Sequence, residues 1–313
     1  MDIREILNYL VSKGVLNNIQ TAEPVTLGQG GAKIYKIETN SKNYILKIAY
    51  LSLSCDENTM SSYRKELNFY RLNEKLKLPF VPKAFYCEEH PKYGILILLK
   101  CLNSVSHNEW NIELQKKAID MVAKFNSLPI DLFEPIGIKW QPTVIDKNFS
   151  LEAYKDWVSV ISEHEGKFDP KLLDAIYKNI YTVPSVLNTE PQYICHGDFH
   201  PENILSDGEE LYMCDFQGLN IGKCAGDINF FISRGSSMGI NIDSEKLLSY
   251  YAERLSQYTG KETDTETLEK ERCASSLLVT FSFWADYLRN ADFIKVKLHY
   301  DEMVNAAKFL DIL

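Results

Sequence analysis

The stretch HGDFHPENIL, His196 to Leu205, gathers two histidines, two carboxylates and an asparagine within ten residues. Its surroundings read as strand, loop and hairpin. Tyr193–Cys195 is strand-like and His196–Asn203 is the loop. Ile204–Ser206 and Leu211–Cys214 are two short strands joined at Asp207-Gly208, a strong hairpin turn signal. A hairpin lays its outer ends side by side, so Asn203 and Asp215 meet although they are 12 positions apart. Two hard oxygen donors at one point, with few other protein ligands, suit magnesium that is also held by substrate phosphates. Asp198 lies in the loop facing the same point, where a carboxylate can accept the proton of an attacking hydroxyl. A base beside an amide–carboxylate pair is the set that phosphoryl transfer uses.

A second chemistry is spelled by the same residues. His196, Asp198 and His200 form an H-x-D-x-H pattern that could bind zinc. Zinc takes three or four protein ligands, and the other histidines, His90, His107, His164 and His299, are scattered along the chain. His196 is expected to bond the loop backbone, and His200 to line the loop or touch substrate.

The elements that must position this loop change character along the chain. Ile3, Ile6, Leu7 and Leu10 repeat with helical period up to Gly14. VTLGQGGAKIYKIE, a turn at Asn40–Asn43 and YILKIA read as a glycine-interrupted strand pair and a hairpin. Residues 58–77 read as a helix, and Ala84–Cys87 and Gly94–Leu99 as strands. After residue 102 the pattern is helical. Helices are predicted around Leu114–Phe125, Tyr154–Ile161 and Leu172–Ile180, and over 243–258, 264–289 and 292–311. The strand-like island of 193–217 is the exception. Trp110, Trp140, Tyr154, Trp157 and Trp284 read as helix packing, or as a lining for a cationic ligand. Cys195, Cys214 and Cys224 read as small buried apolar residues.

His196-Gly197-Asp198 with Asn203, followed by Asp215-Phe216-Gln217, resembles the aminoglycoside phosphotransferase and choline kinase group within the protein-kinase-like fold. The resemblance implies a bilobal α+β fold. A small antiparallel-sheet lobe, residues 1–102, would bind nucleotide, and a larger, mainly helical lobe, 103–313, would carry catalysis and the acceptor. It implies Asp198 as catalytic base, and Asn203 and Asp215 as magnesium ligands. Such a kinase needs a strand lysine for the nucleotide phosphates and a helix glutamate to hold it. Lys47 in YILKIA and Glu66 in YRKELNFY stand in those places. Gly28, Gly30 and Gly31 precede the lysine, where glycines let backbone N–H groups approach phosphate closely. GILILLKCL resembles the strand into the hinge, whose backbone near Lys100 and Leu102 would bond a purine. Asp227 resembles the family's structural support of the catalytic loop. The resemblance covers most of residues 24–235.

Composition bounds the partners. Apolar residues at 45% and charged residues at 25% are a globular balance able to bury a core. The net charge of −9 argues against general nucleic-acid binding. No apolar run reaches the roughly eighteen residues a membrane span needs. The N-terminal segment lacks a signal-peptide pattern, and seven scattered cysteines suggest a reducing cytoplasm. Residues 1–102 carry 14 basic and 10 acidic side chains, against 20 and 33 in 103–313. A basic front and an acidic rear suit an anion in front and a cation behind. The expected reaction moves the γ-phosphate of ATP or GTP to a hydroxyl of a small cationic molecule, an aminoglycoside or a choline-like alcohol. An aminoglycoside acceptor would make the chain an antibiotic-resistance enzyme. Methylthioribose, homoserine and macrolides are the alternative acceptors, and a catalytically silent binding protein is the alternative class. A protein kinase fits less well, because Gly197 stands where such enzymes usually have Arg. Only eleven residues separate Asp215 from Asp227, and no A-P-E follows.

Overall fold

The computed structural model describes residues 2–25, 31–51 and 56–313. By its own packing the chain falls into two compact units. The first comprises Met1–Met121, Asp131–Ile138 and His196–Leu219, and the second Val122–Ile130, Lys139–Cys195 and Asn220–Leu313. The segment carrying HGDFHPENIL thus belongs to the first unit, although it lies far downstream of residue 102.

The first unit is built on a five-stranded antiparallel sheet. Its strands are β1 (Ile19–Val25), β2 (Lys33–Thr39), β3 (Asn43–Ala49), β4 (Ala84–His90) and β5 (Gly94–Lys100), in the spatial order β1-β2-β3-β5-β4. Alternation along the strands decides what each face meets. Leu46 and Ile48 of β3 are buried with Ile37, Leu96 and Leu98, and helix α1 (Ile3–Ser12) covers this face with Ile6 and Leu10. Lys47 stands between Leu46 and Ile48 in β3, pairs across the strands with Ile34 and Ile97, and so points to the opposite face. There helix α2 (Glu57–Leu76) begins at Asp56, whose carboxylate accepts from the Thr59 N–H at 2.8 Å. Tyr63, Glu66, Phe69, Tyr70 and Asn73 of α2 are buried.

Strand β1 departs from the sequence reading. The strand was expected to begin with Val25, whereas it ends there and starts at Ile19. Pro24 and the polar Gln20, Thr21 and Glu23 hide it in the sequence. An edge strand tolerates both proline and polar residues, and β1 is an edge.

The returning segment begins with the predicted hairpin. Ile204–Ser206 pairs antiparallel with Leu211–Met213, with Ile204 opposite Met213, and Gly208 turns at φ 101°. Asn103–Ser104 adds a third short strand against Ser206 and Leu205. The Met213 N–H donates to the Phe80 carbonyl at 2.9 Å. Phe216 then packs on Phe69 of α2 with ring centroids 4.0 Å apart, and Phe133 stacks behind Phe69.

The second unit is mostly helical. Its main helices are Lys147–Ser162, Pro170–Asn179, Ala225–Ser237, Ser244–Thr259, Thr265–Val279 and Phe293–Phe309. The helix expected over 264–289 is interrupted by a π-turn at Thr280–Trp284. The Trp157 indole N–H, fully buried, reaches the Phe281 and Thr280 carbonyls at 3.1 and 3.3 Å. A side chain taking carbonyls from the ladder is a sufficient cause for such a break. Trp157 is therefore core, and Trp284 stacks on His299 at 3.9 Å. Tyr193–Cys195 pairs antiparallel with Asn220–Gly222. The Asn126 amide bridges this strand to Asp227, donating to the Ile194 carbonyl at 2.7 Å and to the Asp227 carboxylate at 3.0 Å. Tyr251 donates to the same amide's oxygen at 2.8 Å. Asp227 thus supports the strand that runs into His196. No helix among the described residues is long and apolar enough to cross a membrane.

Phe69 is fully buried and joins α2 to the segment that follows Asp215. Phe69→Ala is expected to cost about 3–5 kcal/mol, the range for removing a buried aromatic ring, read as a lower urea midpoint for unfolding.

Candidate active site

Three charged groups meet in the first unit. The Lys47 ammonium lies 2.7 Å from the Glu66 carboxylate and 3.0 Å from Oδ1 of Asp215. Glu66 is 1% exposed. Burial works against the Lys47 charge, but the two carboxylates outweigh it and hold the ammonium above its ordinary range. Burial pushes the Glu66 carboxyl up, with Lys47 and the Phe216 N–H opposing. Burial also works to raise Asp215, yet Lys47 and the Gln217 amide prevail and hold it below the ordinary carboxylate range. The Lys47 ammonium sits 5.2 Å from the Tyr63 ring centroid, and the Tyr63 hydroxyl accepts from the Ala32 N–H at 3.0 Å. Tyr63 therefore links the lysine to the chain just after Gly31, which has φ 74°. Gly28 and Gly30 lie outside the described residues.

The loop after His196 is latched to the segment around Asp215. The His196 ring is fully buried, with Nε2 3.0 Å from the Cys214 carbonyl and Nδ1 accepting from the Asp198 N–H at 3.3 Å. It bonds the loop backbone, as expected. The Cys214 N–H donates to the Asn203 carbonyl at 3.0 Å. A Cβ on Gly218 would stand 2.9 Å from the Gly197 carbonyl carbon and 3.0 Å from the His196 oxygen, so only glycine allows this approach. Asp215 itself is left-handed, at φ 66°. The Asn203 amide nitrogen donates to the Asp198 carbonyl and to Asp198 Oδ2, both at 2.9 Å, and lies 3.1 Å from His200 Nε2. Asp198 is 39% exposed at its side chain, open to an incoming hydroxyl. His200 Nε2 lies 3.6 Å from Asp198 Oδ1, which places this histidine against the candidate base.

The first unit thus brings together Lys47, Glu66 and Asp215, and separately Asp198 and Asn203, with the two groups joined through Cys214. Lys100 and Leu102 sit at the end of β5 and just beyond it. The Lys100 N–H donates to the Lys83 carbonyl at 2.8 Å. Its ammonium pairs with Asp207 at 2.9 Å, tying the β5 end to the hairpin turn. The sequence marks Asp207 only as a turn former, and nothing in it signals the contacts of Tyr63, Asp207 or Gln217, whose amide donates to Asp215 Oδ1.

The donor set fits magnesium. Holding the Asn203 nitrogen on Asp198 leaves the amide oxygen as the end available to a cation. Lys47 and Gln217 both meet Oδ1 of Asp215, which leaves Oδ2. Two protein oxygens of this kind suit a magnesium completed by phosphates and water. Among the described residues no cluster of three or more His, Cys, Asp or Glu is arranged to hold a metal, and the H-x-D-x-H pattern is instead committed to backbone and to Asn203.

Comparison with known proteins bears on the fold. Residues 138–262 match the Ecdysteroid kinase-like family. No curated protein matches the sequence. The structure is similar to wild-type aminoglycoside 2'-phosphotransferase-IIIa in its GDP complex, with TM-score 0.60 and 14% identity over 98% of this chain and 99% of that one. It is similar to an ethanolamine kinase of Plasmodium vivax, with TM-score 0.61 and 13% identity over 99% and 90%. A choline kinase of Cryptosporidium parvum gives TM-score 0.62 and 10% identity over 99% and 96%. The fold is the α+β kinase-like fold shared by these small-molecule kinases.

Breaking a buried ion pair from one side costs more than removing it whole. Glu66→Leu is expected to destabilise the protein by about 3–5 kcal/mol. The double variant Lys47→Met with Glu66→Leu should recover most of that loss in urea unfolding.

Proposed function

We propose that this chain is a magnesium-dependent phosphotransferase moving the γ-phosphate of ATP or GTP to a hydroxyl of a small molecule. The observation that carries the reading is the latch at Cys214. It joins a buried lysine–glutamate–aspartate cluster to a loop that presents an exposed carboxylate beside an asparagine. Lys47 neutralises phosphate oxygens, and Glu66 holds it at the site. Gly31, with Gly28 and Gly30, lets the backbone approach the phosphates, while the backbone near Lys100 and Leu102 bonds the purine. Asp198 orients the acceptor hydroxyl and takes its proton. Asn203 and Asp215 hold the magnesium, which supplies neutralising charge at the phosphates when bound. Residues 1–102 serve the nucleotide, and 103–313 supply the base, the metal ligands and the acceptor pocket. The six described cysteines are free thiols, which suits a cytoplasmic site of action.

For the acceptor, the acidic balance of 103–313 favours a cationic alcohol, and the named kinases of choline, ethanolamine and aminoglycosides support it. A second reading has its own observation. Phe149 and Phe283 are 46% and 63% exposed, yet lie with ring centroids 5.6 Å apart beside the π-turn of the second unit. Such a surface suits an apolar, ring-bearing alcohol, in keeping with the ecdysteroid kinase-like match. A nucleotide-consumption screen over choline, ethanolamine, aminoglycosides, methylthioribose, homoserine, macrolides and a polyhydroxylated steroid separates the two. Nucleotide binding with no turnover on any acceptor would support a silent binding protein instead.

Asp198→Ala is expected to keep nucleotide affinity within about twofold, and to lower turnover about a hundredfold or more, the scale of a lost general base. Retained turnover would remove Asp198 from its role. Asp215→Ala should abolish the magnesium dependence of nucleotide binding, measured by titration calorimetry at fixed nucleotide.

A further inference from the structure

Asp215 reaches its place with one carboxylate oxygen doubly engaged. Lys47 Nζ meets Oδ1 at 3.0 Å, and the Gln217 amide nitrogen donates to that same oxygen. An oxygen already accepting from two N–H donors has little lone-pair capacity left for a cation. Oδ2 is the remaining ligand. The two donors differ in what else they serve. Lys47 is shared with Glu66 and is also the group placed to meet phosphates, whereas Gln217 sits two residues from Asp215 on the same turn.

The turn explains why residue 217 can carry this side chain. The close approach to His196 and Gly197 falls on Gly218, where a Cβ has no room. Asp215 is left-handed, and Phe216 is fully buried on Phe69. Residue 217 is thereby held between two fixed neighbours, and its amide returns onto the carboxylate.

We infer that Gln217 is a positioning residue that keeps Asp215 a one-oxygen ligand and so favours a small octahedral cation over a larger one. Magnesium accepts single carboxylate oxygens at near-octahedral positions, whereas calcium accommodates a carboxylate through both oxygens. Removing the amide donor frees Oδ1 whenever Lys47 turns to phosphate. The inference rests on the phosphotransferase reading, because a nucleotide must complete the cation's shell.

The test uses the full chain and its Gln217→Leu and Gln217→Ala variants, each checked for an unchanged melting curve without ligand. ATP binding is titrated with Mg2+ and, separately, with Ca2+, and the ratio of the two half-saturating concentrations is compared. Loss of an outer partner of a metal ligand commonly weakens metal affinity by about 10–100-fold. Both variants are therefore expected to need about tenfold more Mg2+, with little or no added need for Ca2+, so that the preference for Mg2+ shrinks. A merely structural role would weaken both cations alike. An unchanged ratio in variants that fold, beside a wild-type chain that binds ATP with Mg2+, overturns the inference alone. A wild-type chain whose ATP binding ignores Mg2+ overturns the phosphotransferase reading, and the inference with it.

Discussion

The first unit depends on where it can keep one buried ammonium. Lys47 would be costly inside a sheet–helix interface without partners, and it has two. Each partner comes from a different element, Glu66 from α2 and Asp215 from the turn after the hairpin. The geometry therefore demands that β3, α2 and a segment far downstream converge on one point. A well-packed apolar cluster could hold these elements together at least as well, since buried ion pairs seldom add net stability. What the arrangement does is fix one charge in place, with Tyr63 underneath it and the carboxylates setting its direction.

Convergence from a distance needs local fasteners, and they are backbone bonds. His196 and Asn203 hold Cys214 from both sides, through its carbonyl and its N–H. Two residues of one loop thus fix the residue that precedes Asp215. The same loop keeps Asp198 beside the Asn203 amide. One small set of bonds aligns the candidate base with the candidate metal ligands: Asn203 holds Asp198 directly, and Cys214 ties both to Asp215.

Much of this was legible because its causes are local. The Asp207-Gly208 turn between short apolar runs announces the hairpin, and the short apolar run around Lys47 announces β3. The helical period around Glu66 gives α2 within a residue or so at each end. What escaped has distant causes. Strand β1 contains Pro24 and polar residues that only an edge position permits. The break at Thr280–Trp284 follows from the Trp157 indole, over a hundred residues away, while the local sequence TFSFW could continue a helix. Tyr63 stands on the buried face of α2, and no periodicity distinguishes a packing phenol from one that also receives the Ala32 N–H. Asp207 is a turn former by type, and its pairing with Lys100 appears only when β5 and the hairpin are placed together.

The acceptor side illustrates the same limit from the other direction. Phosphate chemistry is constrained to a few donor types at fixed separations, so it leaves short motifs. An acceptor is held by the shape of a surface, which packing between distant helices makes. In the second unit, the fully buried Trp157 sets the π-turn, and the π-turn carries Phe283 outward beside Phe149. The placing of this exposed aromatic pair is thus governed by a core residue, Trp157. A substitution of Trp157 would disturb the pair while leaving the Lys47 cluster intact, because that cluster is assembled within the first unit.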